Sequence, residues 1–267
     1  MSNLLRDLRD IVRIIEWDML KLKRQTVFVA MRTTWFIVQV LVFARAISYI
    51  VSKIAGVDYY RFYILGVFVS LLYSTSVSRG YVIADEFDDG VVEYHLSLPV
   101  KRSVLAVGRV LGGAISAVLF IVPMYLFILW VVEGFENPVA VAISLVSALV
   151  FSMGAVGFVL MIVLSVKSTD ATDILLGTID ALLMRLSSVF YPLPVIAYTG
   201  IAPYYYASLV NPLTHMADFL RTLFLPEYIV YTVSPWAMVT YLVALGFGLL
   251  YVAIEFYVRK IEAGGWR

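Results

Sequence analysis

Apolar residues run through this chain in six long stretches, at about 27–51, 59–79, 104–132, 140–166, 174–198 and 236–258. Each reaches the roughly twenty residues that a helix needs to cross the hydrocarbon core of a bilayer. In that medium every backbone N–H and C=O must find its partner inside the segment, so the stretches predict helices. Residues 2–24 follow a different rule. Leu4, Leu8, Ile11, Ile15, Met19 and Leu22 recur every three or four positions, and Arg6, Asp7, Arg9, Asp10, Arg13 and Glu16 fill the other face. This predicts an amphipathic helix capped by Ser2, lying in the membrane interface or packed on the protein's own loops. Residues 1–26 are therefore set apart as an interfacial unit, and 27–267 as the membrane domain.

The second and third stretches are separated by a charged insertion, Asp85 to Arg109. Its apolar residues Phe87, Val91, Tyr94 and Leu98 are spaced by four, three and four, which predicts one helix over 85–98. Asp85, Glu86, Asp88, Asp89 and Glu93 then fall in its first turns, where a helix favours negative charge. Pro99 ends it, for want of an amide donor, and Lys101 and Arg102 follow. Five carboxylates sit badly against an anionic leaflet, so this helix reads as a docking element for a partner.

Residues 191–235 form a longer non-spanning piece on the other side. Tyr191, Tyr198, Tyr204, Tyr205 and Tyr206 suit the headgroup level, where the ring meets hydrocarbon and the hydroxyl meets water. Asn211 before Pro212 reads as an N-cap and first-turn proline of a helix over about 212–224, which places Asp218 and Arg221 on one face. It is too short to span, so it is predicted to be re-entrant or interfacial. Asp180 and Arg185 lie inside the fifth stretch, five residues apart and so on different faces. Each must face another helix or a wet cavity, in a substrate path, a subunit interface or a structural pair. Arg32 and Arg45, near opposite ends of the first stretch, are expected to snorkel.

Composition agrees with an all-α polytopic membrane protein: 62% of residues are hydrophobic and only 15% charged. Lys and Arg orient it. Arg6, Arg9, Arg13, Lys21, Lys23, Arg24, Arg79, Lys101, Arg102, Arg109, Lys167, Arg259, Lys260 and Arg267 fall on one side, against Lys53 and Arg61 on the other. By the positive-inside rule both termini and the 85–98 helix are cytoplasmic. A net charge of +1 gives no field for nucleic acid. The absence of cysteine excludes disulfides, thiolate metal sites and a cysteine nucleophile. His95 and His215, the only histidines, fall on opposite sides and cannot share a metal. No catalytic or metal-binding set is nominated.

The run Glu86, Asp88, Gly90, Glu93, Leu96, Pro99, Arg102, Gly108, Arg109 resembles, without a gap, the signature of ABC-2 type transporter permeases. Val91, His95 and Arg109 depart from the usual Thr, Leu and Lys. Asn211, Pro212, Leu213 and Thr214 with Arg221 resemble a second signature of that family. The resemblance implies six transmembrane helices in the cell membrane. It also implies a second permease chain, identical or not, and two ABC ATP-binding subunits. ATP and Mg²⁺ would then bind those subunits and no cofactor this chain, which has no Gly-Lys-Ser/Thr phosphate loop. The 85–98 segment would be the coupling helix, with Asp85, Glu86, Phe87, Asp88, Asp89, Gly90, Glu93, Pro99 and Arg102 meeting the ATPase. Asp180, Arg185, Asn211, Asp218 and Arg221 would belong to the substrate path or interface. Three other readings stay open: an ion-coupled carrier using Asp180, Asp218 and Arg221, an intramembrane enzyme, and a membrane anchor for a cytoplasmic ATPase.

Overall fold

The computed structural model describes residues 2–51, 53–54, 57–91, 94, 97–166, 168–228 and 233–262. The amphipathic pattern at the start forms helix α1 (Ser2–Lys23), with Lys21 and Lys23 in the last turn, where the helix dipole favours them. A turn at Arg24 and Gln25 leads into one long helical run, α2 (Thr26–Val38), a π-helical segment (Gln39–Ala44) and α3 (Arg45–Ile50). A two-residue hairpin pairs Lys53 with Asp58 and Ile54 with Val57. Asp58 then accepts from the Tyr60 amide, 3.2 Å away, and opens α4 (Tyr59–Asp88).

Helices α5 (Arg102–Val131) and α6 (Pro138–Val166) pack with α4 to form the centre of the bundle. Phe62, Leu72, Ile121, Met124, Ile128 and Leu160 are buried there. The link between α5 and α6 turns on Glu133 in the left-handed region, and the Asn137 side chain accepts from the Ala140 amide to start α6. After α7 (Thr169–Arg185) come the short helices α8 (Leu193–Tyr198) and α9 (Ala202–Val210), then α10 (Pro212–Phe224) and the long α11 (Pro235–Glu262). Among the described residues, five helical runs are long and apolar enough to cross a membrane: Thr26–Ile50, Tyr59–Val82, Arg102–Val131, Pro138–Val166 and Pro235–Lys260.

Two expectations are corrected here. The stretch 174–198 is not one helix: α7 stops at Arg185. The reason lies in α10, because the Asn211 side chain donates to the carbonyls of Leu183 and Leu186 at 2.7 and 2.8 Å. Those carbonyls, orphaned at a helix end, gain their partner from another element. The chain then turns through Ser187–Pro192 before α8 begins. Helix α7 nonetheless packs along part of α4 in the opposite sense. Asp173 meets Tyr81 and Asp180 meets Tyr73, and past the end of α7 the Phe190 ring meets Tyr63 at a tilt.

Nor is 85–98 one helix. Residues 85–88 are the last turn of α4, and the backbone breaks at Gly90, whose φ of 70° suits glycine. Helix resumes at 91, 94 and 97 and ends in bends at 98–100. The acidic run thus sits at a helix C-terminus, where the dipole opposes it. A compensating charge is required.

Close packing of α6 on α11 depends on two glycines. A methyl on Gly246 would come within 2.6 Å of the Val150 carbonyl, and one on Gly154 within 3.1 Å of Gly246 Cα. Gly248, two residues along, faces open space. Gly248→Ala is therefore expected to raise the thermal midpoint slightly, by helix propensity of about 1 kcal/mol. Gly246→Ala should lower it, overpacking costing about 1–3 kcal/mol. Unfolding of the purified protein in detergent reads the opposite signs.

Candidate functional site

Polar side chains gather at both ends of the bundle and along one groove between them. At the end that carries α1, the chain brings Asp18 and Lys21 of α1, Glu86 of α4 and Arg109 of α5 together. Arg109 donates from Nη1 to Asp18 Oδ1 at 2.8 Å and from Nη2 to Glu86 Oε2. Lys21 Nζ pairs with the other Glu86 oxygen. Arg109, Glu86 and Asp18 are all buried. Burial pushes the Asp18 carboxyl above its usual range, an effect that Arg109 and Lys21 oppose. Two carboxylates and two cations balance. This is the compensation that the end of α4 requires.

Two glycines admit the carboxylate. Gly108 and Gly112 of α5 lie against Ile14 and Asp18 of α1, four residues apart on each helix, and a methyl on either glycine would clash. Beyond the cluster, α1 is strapped to the segment after the acidic run. Arg6 donates to the Pro99 carbonyl at 3.0 Å, and Lys101 pairs with Asp7.

The expected coupling residues therefore separate. Glu86 is turned inward and ties three helices together. Asp85, Asp89, Gly90, Pro99 and Arg102 are exposed, as are Tyr94 and Leu98. Glu93 and the side chains of Phe87 and Asp88 lie outside the described residues. Asp18 and Lys21 escaped the sequence reading. The signal was Arg109 entering an apolar stretch just past Gly108, which asks for a nearby carboxylate.

At the other end Arg221 is wholly buried. It donates to Asp218 Oδ1 at 2.8 Å and to the carbonyls of Ser188, Val189 and Phe62 at 2.9, 2.8 and 3.2 Å. Its guanidinium lies 3.5 Å from the centre of the Phe62 ring. Ser188 and Tyr228 hydroxyls donate to Asp218 Oδ1, each at 3.0 Å. Asn211 caps α10 through the Leu213 amide while holding the end of α7. All three are buried structural groups. Their partners are the chain's own backbone and side chains.

Along the middle, Tyr73 donates to Asp180 Oδ1 at 2.7 Å and Tyr81 bonds Asp173. Ser74, Ser78, Gly177 and these aspartates line an open groove of about 330 Å³ between α4 and α7. Arg185 is exposed at the end of α7. Among the described residues Asp180 and the Asp218–Arg221 pair have no partner in common. Among the described residues no group of three or more His, Cys, Asp or Glu converges as a metal site would require.

Five apolar helical runs around a buried core define a multi-pass helical membrane protein. The sequence model of the ABC-2 type transporter family matches residues 12–225, and the chain belongs to that family. It is thus a membrane permease component of an ABC transporter, in a family that works with ABC ATP-binding subunits. A comparison with curated proteins found no match.

Arg109→Ala would leave two buried carboxylates with only Lys21 to offset them. The expected cost is about 3–5 kcal/mol, read as a lower thermal midpoint and less monodisperse protein after extraction. Adding Asp18→Asn to Arg109→Ala should recover part of the loss. No recovery would show that the arginine acts through packing.

Proposed function

We propose that this chain is the membrane-embedded half of an exporter in the cell membrane, powered by ATP and Mg²⁺ bound to separate ATP-binding subunits. Two permease chains, of one kind or two, would enclose the path and two ATPase subunits would sit on the cytoplasmic face. The observation that carries the reading is the exposure of Asp89, Gly90, Tyr94, Leu98, Pro99 and Lys101 in the stretch after α4. That stretch continues directly from α4, is strapped to α1 by Arg6 and Lys101, and lies beside the ion cluster that locks α1, α4 and α5. A push on it would reach three helices as one body.

The antiparallel run of α7 against α4 supports a sixth crossing. Together with the turn that follows it as far as Phe190, α7 tracks α4 from Tyr81 to Tyr63, eighteen residues or about 27 Å of helix, close to a bilayer core. Both termini then share one side, and the Lys and Arg asymmetry makes that side cytoplasmic. The polar groove between α4 and α7, with Ser74, Ser78, Asp173 and Asp180, is the surface that a second chain would close into a path.

Two measurements test this. The chain has no cysteine, so Asp89→Cys and Asn137→Cys are clean reporters. In intact cells a membrane-impermeant maleimide should label Asn137→Cys and spare Asp89→Cys; the reverse pattern ends the proposal. In pull-downs, Asp89→Lys combined with Tyr94→Ala should cut capture of the ATP-binding subunit by about tenfold or more, as expected for an exposed aromatic anchor. Its thermal midpoint should stay at the wild-type value. Undiminished capture would remove the docking role of this segment.

A further inference from the structure

A cleft of about 870 Å³ opens between α1 and the segment that follows α4. Its volume is that of a ligand site rather than a packing gap. One wall carries Arg6, Arg9 and Arg13; Ile14, Tyr94 and Leu98 supply apolar surface. Asp10 also lines it, at 3.9 Å from Arg6. Arg109 reaches its floor but is already held by Glu86 and Asp18. Arg9 and Arg13 are exposed and pair with no carboxylate among the described residues.

We infer that this cleft holds an anionic phospholipid from the leaflet in which α1 lies. Arg9 and Arg13 would bind the phosphate by charge-assisted hydrogen bonds, and the apolar wall would take the start of an acyl chain. The chemistry favours a lipid over an acidic protein surface, because cation and hydrocarbon lining occur in one cleft. The outer face of the same helix also exposes Leu4, Leu5, Leu8 and Val12, which suits hydrocarbon. The lipid would brace α1 against Tyr94 and Leu98, beside the strap between Arg6 and Pro99. This inference needs only that α1 lies at a membrane surface, and it stands or falls separately from the export reading.

Native mass spectrometry of the full-length protein, incubated with equal amounts of phosphatidylglycerol and phosphatidylcholine, tests it. The wild type should retain phosphatidylglycerol about tenfold in preference, two basic groups giving an effect of that order. Arg9→Gln with Arg13→Gln should abolish the preference. Leu98→Glu, which sets a negative charge in the apolar wall, should do the same. Lys23→Gln with Arg24→Gln, of equal charge change but outside the cleft, should leave it intact. No preference in the wild type, or equal loss in the Lys23 and Arg24 control, overturns the site. So does a result in which the Arg9 and Arg13 variant keeps its lipid but loses the ATP-binding subunit, because the cleft would then be a protein interface.

Discussion

Arg109, together with Lys21, neutralises two carboxylates in one buried place, and the end of the bundle is arranged around that need. Helix α4 finishes in an acidic turn, against the preference of a helix C-terminus. Glu86 is buried there, and a buried unpaired carboxylate costs several kcal/mol. Arg109 meets it from α5, but a guanidinium has more donors than one carboxylate uses. Asp18 of α1 takes the remainder, and Gly108 and Gly112 are the cavities that let α1 come close enough. Charge balance and backbone proximity thus impose each other. Neither the glycines without the aspartate nor the aspartate without the arginine would give a stable contact.

The opposite end solves a different problem with the same residue type. Where α7 stops, backbone carbonyls of residues 183–189 are left without helical partners inside an apolar bundle. Arg221 and Asn211 collect them: Asn211 takes Leu183 and Leu186, and Arg221 takes Ser188 and Val189. Irregular backbone at membrane depth is tolerated only when it is satisfied in this way. Asp218 neutralises the arginine, and Ser188 and Tyr228 donate to the same carboxylate oxygen. The Asn211–Arg221 signature therefore explains itself as a splint for the break after α7.

Much of this architecture was legible in the chain, and the failures share one cause. The apolar stretches located five long helices within a few residues, the three-four spacing located α1, and Asn211 with Pro212 fixed the start of α10. Spacing could not see where a helix ends for tertiary reasons. Leu186 and Ser187 carry no breaker as strong as proline, yet α7 stops because α10 offers its carbonyls a better partner. In the acidic segment Phe87, Val91, Tyr94 and Leu98 fit one helical face, but Gly90 in a left-handed conformation resets the phase between them. Glu86 then turns inward instead of out. The decisive partners, Asp18 and Lys21, lie more than sixty residues away in sequence, and one-dimensional spacing carries no such information.

The two arginines also differ in what they permit. Arg221 is bound to main-chain carbonyls of two separate elements and stacked on Phe62, so moving it would break several backbone contacts together. Arg109 is bound only to side-chain carboxylates, whose rotamers allow the helices to tilt while the pairs persist. A bundle with main-chain anchoring at one end and side-chain anchoring at the other has its stiff point at Arg221. In the proposed cycle, force enters at 89–101, next to Arg109. Helices α1, α4 and α5 would then swing as a unit about the Arg221 end. The groove between α4 and α7 would widen under such a swing, because α7 is tied at that far end and meets α4 through the Tyr73 and Tyr81 hydroxyls. Those two hydrogen bonds are among the contacts that opening would have to break, beside the packing of α4 and α5 on α6.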